Sequence, residues 1–204
     1  MIENKEKMVS VYAEANPNPE SMKFVMNQQL LPEGQSVDYP NLESAMESPL
    51  AQELFNFDYV SRVFIASNFV TVTKSTADLE WVKLIPELRT FLKSYVEAGG
   101  PIFNEGFSAA RVDAPAANGE TSAEDAEIAK KVTDLLDNYV RPAVEQDGGN
   151  ITFKSYNDGV VTVHLQGSCS GCPSATVTLK AGIENLLKRM VPEVKEVVAD
   201  GVTI

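Results

Sequence analysis

Cys169 and Cys172 are the only thiols in the chain, and His164 is its only imidazole. Any Ser-His-Asp or Cys-His nucleophile would have to be activated through that one histidine. A disulfide framework needs more cysteines, and a reducing cytosol keeps most thiols free. What remains is a C-x-x-C pair, whose two-residue gap is a usual chelate spacing for metal. Tetrahedral zinc and the common iron–sulfur clusters take four protein ligands, and one chain supplies two thiolates. A metal held by protein ligands alone therefore requires Cys169 and Cys172 from each of two chains. A site shared across a subunit boundary is exposed and dissociable, which suits delivery better than long-term holding. The same spacing also serves dithiol redox catalysts, and structural zinc in a dimer is a third option.

The pair follows Gln166-Gly167-Ser168 and precedes Pro173, at a strand-to-helix junction. Pro173 suits a first helical position, where unsatisfied N–H groups and the helix dipole favour negative charge. Both thiol pKa values are therefore expected to be depressed. Gly167 and Gly171 allow close backbone approach, so that N–H groups can reach sulfur. His164 lies between Val163 and Leu165 on a strand and is expected at a solvent-facing or edge position rather than as a ligand. In Asp147-Gly148-Gly149 the glycines suit a helix C-terminal turn with positive φ.

Two domains must position these residues. The chain has 204 residues, 44% apolar and 23% charged, which excludes wholesale disorder and collagen-like repeats and allows two small domains. The net charge of −12 is spread without a basic region, so nucleic acid and anionic membrane are poor partners. No apolar run approaches the roughly 20 residues of a bilayer span. Residues 1–7 carry no signal-peptide core and are too acidic for a transit peptide, so the expectation is a soluble cytoplasmic protein.

Residues 1–100 read as an α+β domain. Met8–Glu14 and Ser21–Met26 are strand candidates broken by Asn16-Pro17-Asn18-Pro19, which reads as a loop. Ser48-Pro49 opens a short helix to about Phe55. Val60–Ser67 and Phe69–Lys74 make a hairpin around Asn68. Leu79, Trp81, Leu84, Ile85, Leu88, Leu92, Tyr95 and Val96 recur at helical spacing up to Gly99-Gly100, with Pro86 expected to kink or split the helix. Residues 101–121 read as a mobile tether, most clearly at Ala114–Gly119.

Residues 122–204 form the second α+β domain, in the order α-β-β-α-β with a three-stranded sheet. Thr121 or Ser122 with Glu124 or Asp125 makes a capping box. Ile128, Val132, Leu135, Leu136, Tyr139 and Val140 line one helix face, ending near Arg141-Pro142 or continuing to Asp147-Gly148-Gly149. Ile151–Tyr156 and Val160–Leu165 flank Asn157-Asp158-Gly159, the strongest hairpin signal in the chain. A helix from about Ser174 carries Val177, Leu179, Ile183, Leu186, Leu187 and Met190 and stops before Pro192. Val194–Ala199 is a last strand. A unit of this size is marginal on burial alone, which leaves room for a metal or partner to stabilise it.

These residues also carry a resemblance. Tyr139–Gly149, Gly159–Val163 and Leu165–Ser174, with Thr178-Leu179-Lys180, Ile183-Glu184 and Pro192-Glu193-Val194, resemble the C-terminal domain of the NifU-like (Nfu-type) iron–sulfur scaffold proteins. Asn16–Pro19, Lys23-Phe24, Ser48–Ala51, Leu54-Phe55 and Phe69–Lys74 resemble the N-terminal domain attached to it in one branch of that family. The resemblance implies a non-enzymatic carrier that holds a [4Fe-4S] cluster between two subunits and passes it to apo iron–sulfur client proteins. A [2Fe-2S] core is the second option. It further implies Cys169 and Cys172 as the ligands, a homodimer when loaded, and upstream cluster assembly machinery as the supplier. The alternative function is a dithiol–disulfide oxidoreductase using the same pair.

Overall fold

The computed structural model describes residues 8–108, 123–170 and 173–200. It divides the chain into two compact units, residues 1–110 and 111–204. Thr121 and Ser122 of the expected capping box, and Cys172, lie outside the described residues.

In the first unit, alternating apolar residues build one antiparallel sheet of five strands: β1 Val11–Ala15, β2 Ser21–Met26, β3 Ser36–Tyr39, β4 Val60–Ala66 and β5 Phe69–Lys74. Their order is β1-β2-β5-β4-β3. Because side chains alternate across the sheet, Met22, Phe24, Met26, Val63, Ile65, Val70 and Val72 share one face. They form the core with Leu50, Ala51 and Leu54 of α1 (Pro49–Phe55) and Leu88 and Leu92 of α2 (Trp81–Glu97). Val25, Phe64, Ala66 and Phe69 make a smaller cluster on the opposite face. β3 is absent from the sequence reading. It is a four-residue edge strand, tied to β4 by Arg62, whose Nε donates to Asp38 Oδ1 at 2.8 Å.

Helix α1 starts as its sequence demands: Ser48 Oγ accepts from the Ala51 N–H at 3.2 Å, with Pro49 at the first turn. Helix α2 runs unbroken through Pro86, so the expected split does not occur. Its end is a Schellman turn. Gly99 has φ +73, its N–H donates to Val96 O at 3.1 Å, and the Gly100 N–H donates to Tyr95 O at 2.9 Å. The Asn16–Pro19 loop is held by Asn16 Oδ1, which accepts from Asn18 N and Ser21 Oγ, and by Trp81 Nε1 donating to Pro19 O.

Residues 101–108, read as the start of the tether, fold back onto the first unit. Ile102, Phe103 and Phe107 pack against its core, and the Phe103 and Phe107 rings stack at 4.0 Å. Ser48 Oγ donates to Ile102 O at 2.7 Å, and Asn104 donates to the carbonyls of Glu47 and Met46. Aromatic residues flanked by Gly and Pro gave no period from which this docking could be read.

The second unit has the expected three-stranded sheet: β6 Gly149–Asn157, β7 Val160–Gly167 and β8 Glu196–Asp200, in the order β6-β7-β8. β6 and β7 are antiparallel around Asp158-Gly159, whose φ values of +48 and +92 are those of the tight hairpin that Asp-Gly favours. β8 runs parallel to β7, and α5 (Pro173–Met190) makes the crossover. Helix α3 (Ala123–Leu135) continues as a π turn, Leu136–Val140, into α4 (Arg141–Gln146). The Arg141 N–H donates to Leu136 O, five residues back, just where Pro142 lacks the N–H that an α-helix would need. The wide turn changes the phase of the apolar stripe. Val132, Leu136, Val140 and Val144 are buried with Ile151, Val161, Val163, Leu165, Ile183, Leu187 and Val197, whereas Tyr139, expected on the same face, is exposed. Val177 and Met190 of α5 are exposed as well. None of the described helices is long and apolar enough to cross a membrane.

Ser48 thus caps α1 and ties the 101–108 segment with one buried hydroxyl. Replacing it, Ser48→Ala, is expected to lower the stability of the first unit by about 2 kcal/mol, the combined effect of a lost cap and a lost buried bond. Urea unfolding of the full chain measures the change.

Candidate functional site

The site is built where β6 begins and β7 ends. Asp147 closes α4 by donating its N–H to Ala143 O at 3.1 Å, and Gly148 follows with φ +81, a left-handed conformation that suits glycine. Gly149 then opens β6 and pairs with Gly167, the last residue of β7. Gly167 has φ +64 and turns the chain toward Ser168, Cys169 and Ser170. The two loops are stitched together. The Ser168 N–H donates to Gly148 O at 3.2 Å, and Ser168 Oγ donates to Asp147 O at 2.6 Å. Ser170 turns back on its own loop, its N–H and Oγ donating to Gly167 O at 3.1 and 2.8 Å.

Cys169 sits at the floor of this arrangement. It is 8% exposed and belongs to the apolar core of the second unit. Gly149 makes room for it: a Cβ at that position would stand 2.9 Å from Cys169 Sγ and 2.7 Å from Gln166 O, closer than real Cβ atoms come. Of Asp147-Gly148-Gly149, then, the first glycine serves the helix end and the second serves the thiol. The sequence reading attributed both to the helix end. The roles of Gly149, Ser168 and Asp147 were missed because they depend on two loops meeting, although a glycine beyond what one helix end needs was a signal.

Burial pushes the Cys169 thiol up to about 11, and the Asp147 carboxylate adds to the rise; Ser168 Oγ and Cys169 Sγ lie 3.9 Å apart. The expected depression is therefore corrected for this residue. Cys169 lies in the turn before α5 and inside the core, and loss of solvent is the largest cause of its shift. His164 occupies the central strand, opposite Thr152 and Asp200 in the ladder, so it is not an edge residue. Since Val163 and Leu165 point into the core, His164 lies on the other face, half-buried. In a Cys172→Ser chain, alkylation of Cys169 by iodoacetamide is expected to keep rising with pH beyond 9 and to level off only above about 11, because thiolate is the reacting form. Mass spectrometric rates across that range measure it.

Two family models match in chain order: the NifU-like domain over residues 132–198, and the scaffold protein Nfu/NifU N terminal over residues 11–99. NifU-like protein 4, mitochondrial, of Arabidopsis thaliana is 41% identical over 189 residues, which is 92% of this chain and 64% of that protein. The NFU1 iron-sulfur cluster scaffold homolog, mitochondrial, of Homo sapiens is 38% identical, over 92% of this chain and 70% of its own length. The protein of the same name in Drosophila willistoni is 40% identical, over 92% and 62%. This chain spans about two thirds of the length of these relatives. All three are named mitochondrial, which overturns the cytoplasmic location expected above. With both models matched and the human relative covered across most of its length, the chain belongs to the NifU-like (Nfu) iron–sulfur cluster scaffold family, in the branch that carries the N-terminal Nfu domain.

Proposed function

We propose that this protein is a non-enzymatic carrier of a [4Fe-4S] cluster. Cys169 and Cys172 of two copies hold the cluster between them, and it passes to apo iron–sulfur proteins. The supporting observation is the count of the thiols: the chain has two cysteines, both within the NifU-like match, and Cys169 lies at the turn that two stitched loops hold. Four thiolates complete the usual coordination of such a cluster, so two copies are required and loading makes a homodimer. Each client thiolate displaces one carrier thiolate from iron, so every iron keeps its ligand number throughout the exchange. The named role of the human and fly relatives as cluster scaffolds supports the same reading. Dithiol exchange by the same pair is the alternative function.

The first unit contains neither cysteine nor histidine. Its role on this reading is recognition of clients or of the machinery that supplies the cluster. The acidic surface of the chain favours partners that present basic patches.

Anaerobic incubation with iron and sulfide is expected to turn the protein brown, with about four irons per two chains, the [4Fe-4S] complement of a four-thiolate site. Iron assay with size-exclusion chromatography measures this, and Cys169→Ser or Cys172→Ser is expected to abolish the colour. A colourless protein that reduces insulin disulfides would establish the oxidoreductase instead. Removing residues 1–108, the first unit with its docked segment, is expected to leave cluster binding intact and to slow transfer to clients. Transfer assays to several apo-proteins decide it, and unchanged rates to all of them would remove the recognition role.

A further inference from the structure

A sulfur that ligates a cluster shared with a second chain must reach the surface where that chain approaches. Cys169 is held in the opposite sense. Its thiol is in the core, over the bare Cα of Gly149, where a Cβ would stand 2.9 Å from Sγ. The residue before it is tied down twice, by Ser168 N–H to Gly148 O at 3.2 Å and by Ser168 Oγ to Asp147 O at 2.6 Å. Ser168 is itself 2% exposed, so its hydroxyl makes that bond away from bulk water, where breaking it leaves a buried polar group. The turn begins at Gly167, whose φ of +64 suits glycine.

We propose that the Ser168–Asp147 hydrogen bond and the missing side chain of Gly149 form a latch that stores the Cys169 sulfur inside the cluster-free protein and opens when Cys169 binds iron. Ser168 and Gly149 are positioning residues that act through Cys169. The closed latch is stable without a cluster, so its free energy opposes ligation, and a cluster shared by two chains meets that factor once in each. The latch itself is a property of the cluster-free chain; its effect on the cluster rests on the carrier function proposed above.

The test uses the full chain with Cys172→Ser, so that Cys169 is the only thiol, and follows alkylation by iodoacetamide at one pH in increasing, sub-denaturing urea. Adding Ser168→Ala is expected to accelerate alkylation roughly fivefold, the factor that one net hydrogen bond gives. The rate is expected to stay flat with urea, as local opening exposes little surface. Gly149→Ala is expected to accelerate it as well, again without urea dependence. An unchanged rate, or an acceleration that climbs with urea as global unfolding does, overturns the latch.

A second measurement restores Cys172 and loads the Ser168→Ala chain with iron and sulfide. The variant is expected to keep its cluster several-fold longer against a chelator than the unsubstituted chain. A shorter lifetime would mean that Ser168 serves the ligated state, and storage would be wrong. Faster alkylation in a chain that takes up no cluster, with or without Ser168→Ala, would leave the latch standing and remove the carrier reading.

Discussion

The second unit is organised around the approach of Gly149 to Cys169. For a backbone Cα to come that close to a sulfur, β6 must begin and β7 must end in register, and the helix leading into β6 must stop one residue earlier. Each condition has its own local device. The Asp158-Gly159 turn sets the β6–β7 register at the far end of the hairpin, and a one-residue shift between Phe153 and Ser155 resets it for the Gly149–Gly167 end. Gly148 ends α4 in a left-handed conformation. Ser168 then ties its own loop to the preceding turn through two hydrogen bonds. The polar part of the site is thus carried by backbone carbonyls and one hydroxyl, and its apolar part is the core of the domain itself.

That arrangement explains why the thiol behaves differently from the expectation drawn from its position before a helix. The helix-terminus argument treats the cysteine as a surface group exposed to the dipole. Here the chain dips into the core before α5 begins, and desolvation is the largest cause of the shift at Cys169. Position relative to secondary structure is visible in a sequence; depth is not. Depth depends on the core that Val144, Ile151 and Leu165 share with Cys169, and those residues come from three separate elements.

The same distinction separates what was legible from what was not. The Asp158-Gly159 hairpin, the Ser48-Pro49 helix start and the Gly99-Gly100 stop could be read because each is a local contract between a residue type and a dihedral angle. The three strands and the helix of the second unit followed from periods of two and 3.6. The illegible features are those made by distant groups. β3 is a four-residue edge strand whose pairing depends on Arg62, 24 residues from Asp38. Residues 101–108 dock through Ser48, 54 residues before Ile102. The π turn lies between, since Pro142 announced an irregularity at the right place and only the packing of Val140 and Val144 decided its form. Pro86, by contrast, announced a break that did not follow: Leu84, Leu88 and Leu92 on the same helix are all buried, and their packing outweighs one missing backbone donor.

The count of thiols gives the carrier reading its energetic logic. A ligand that binds only the paired state stabilises the pair by mass action, so a cluster bridging two chains is held more firmly as chain concentration rises and is lost as the pair dilutes or as a competing thiolate arrives. A monomer with four cysteines would have no such dependence, because its own backbone keeps the ligands together. Two cysteines per chain make the strength of holding depend on concentration and on competitors, and any interaction that stores one of them inside the cluster-free chain weakens holding further. Weak holding would be a defect in an enzyme whose cofactor must stay in place. In a carrier it sets the direction of flow, since the client's complete and preorganised set of ligands then binds the cluster more tightly than two half-sites that have to find each other.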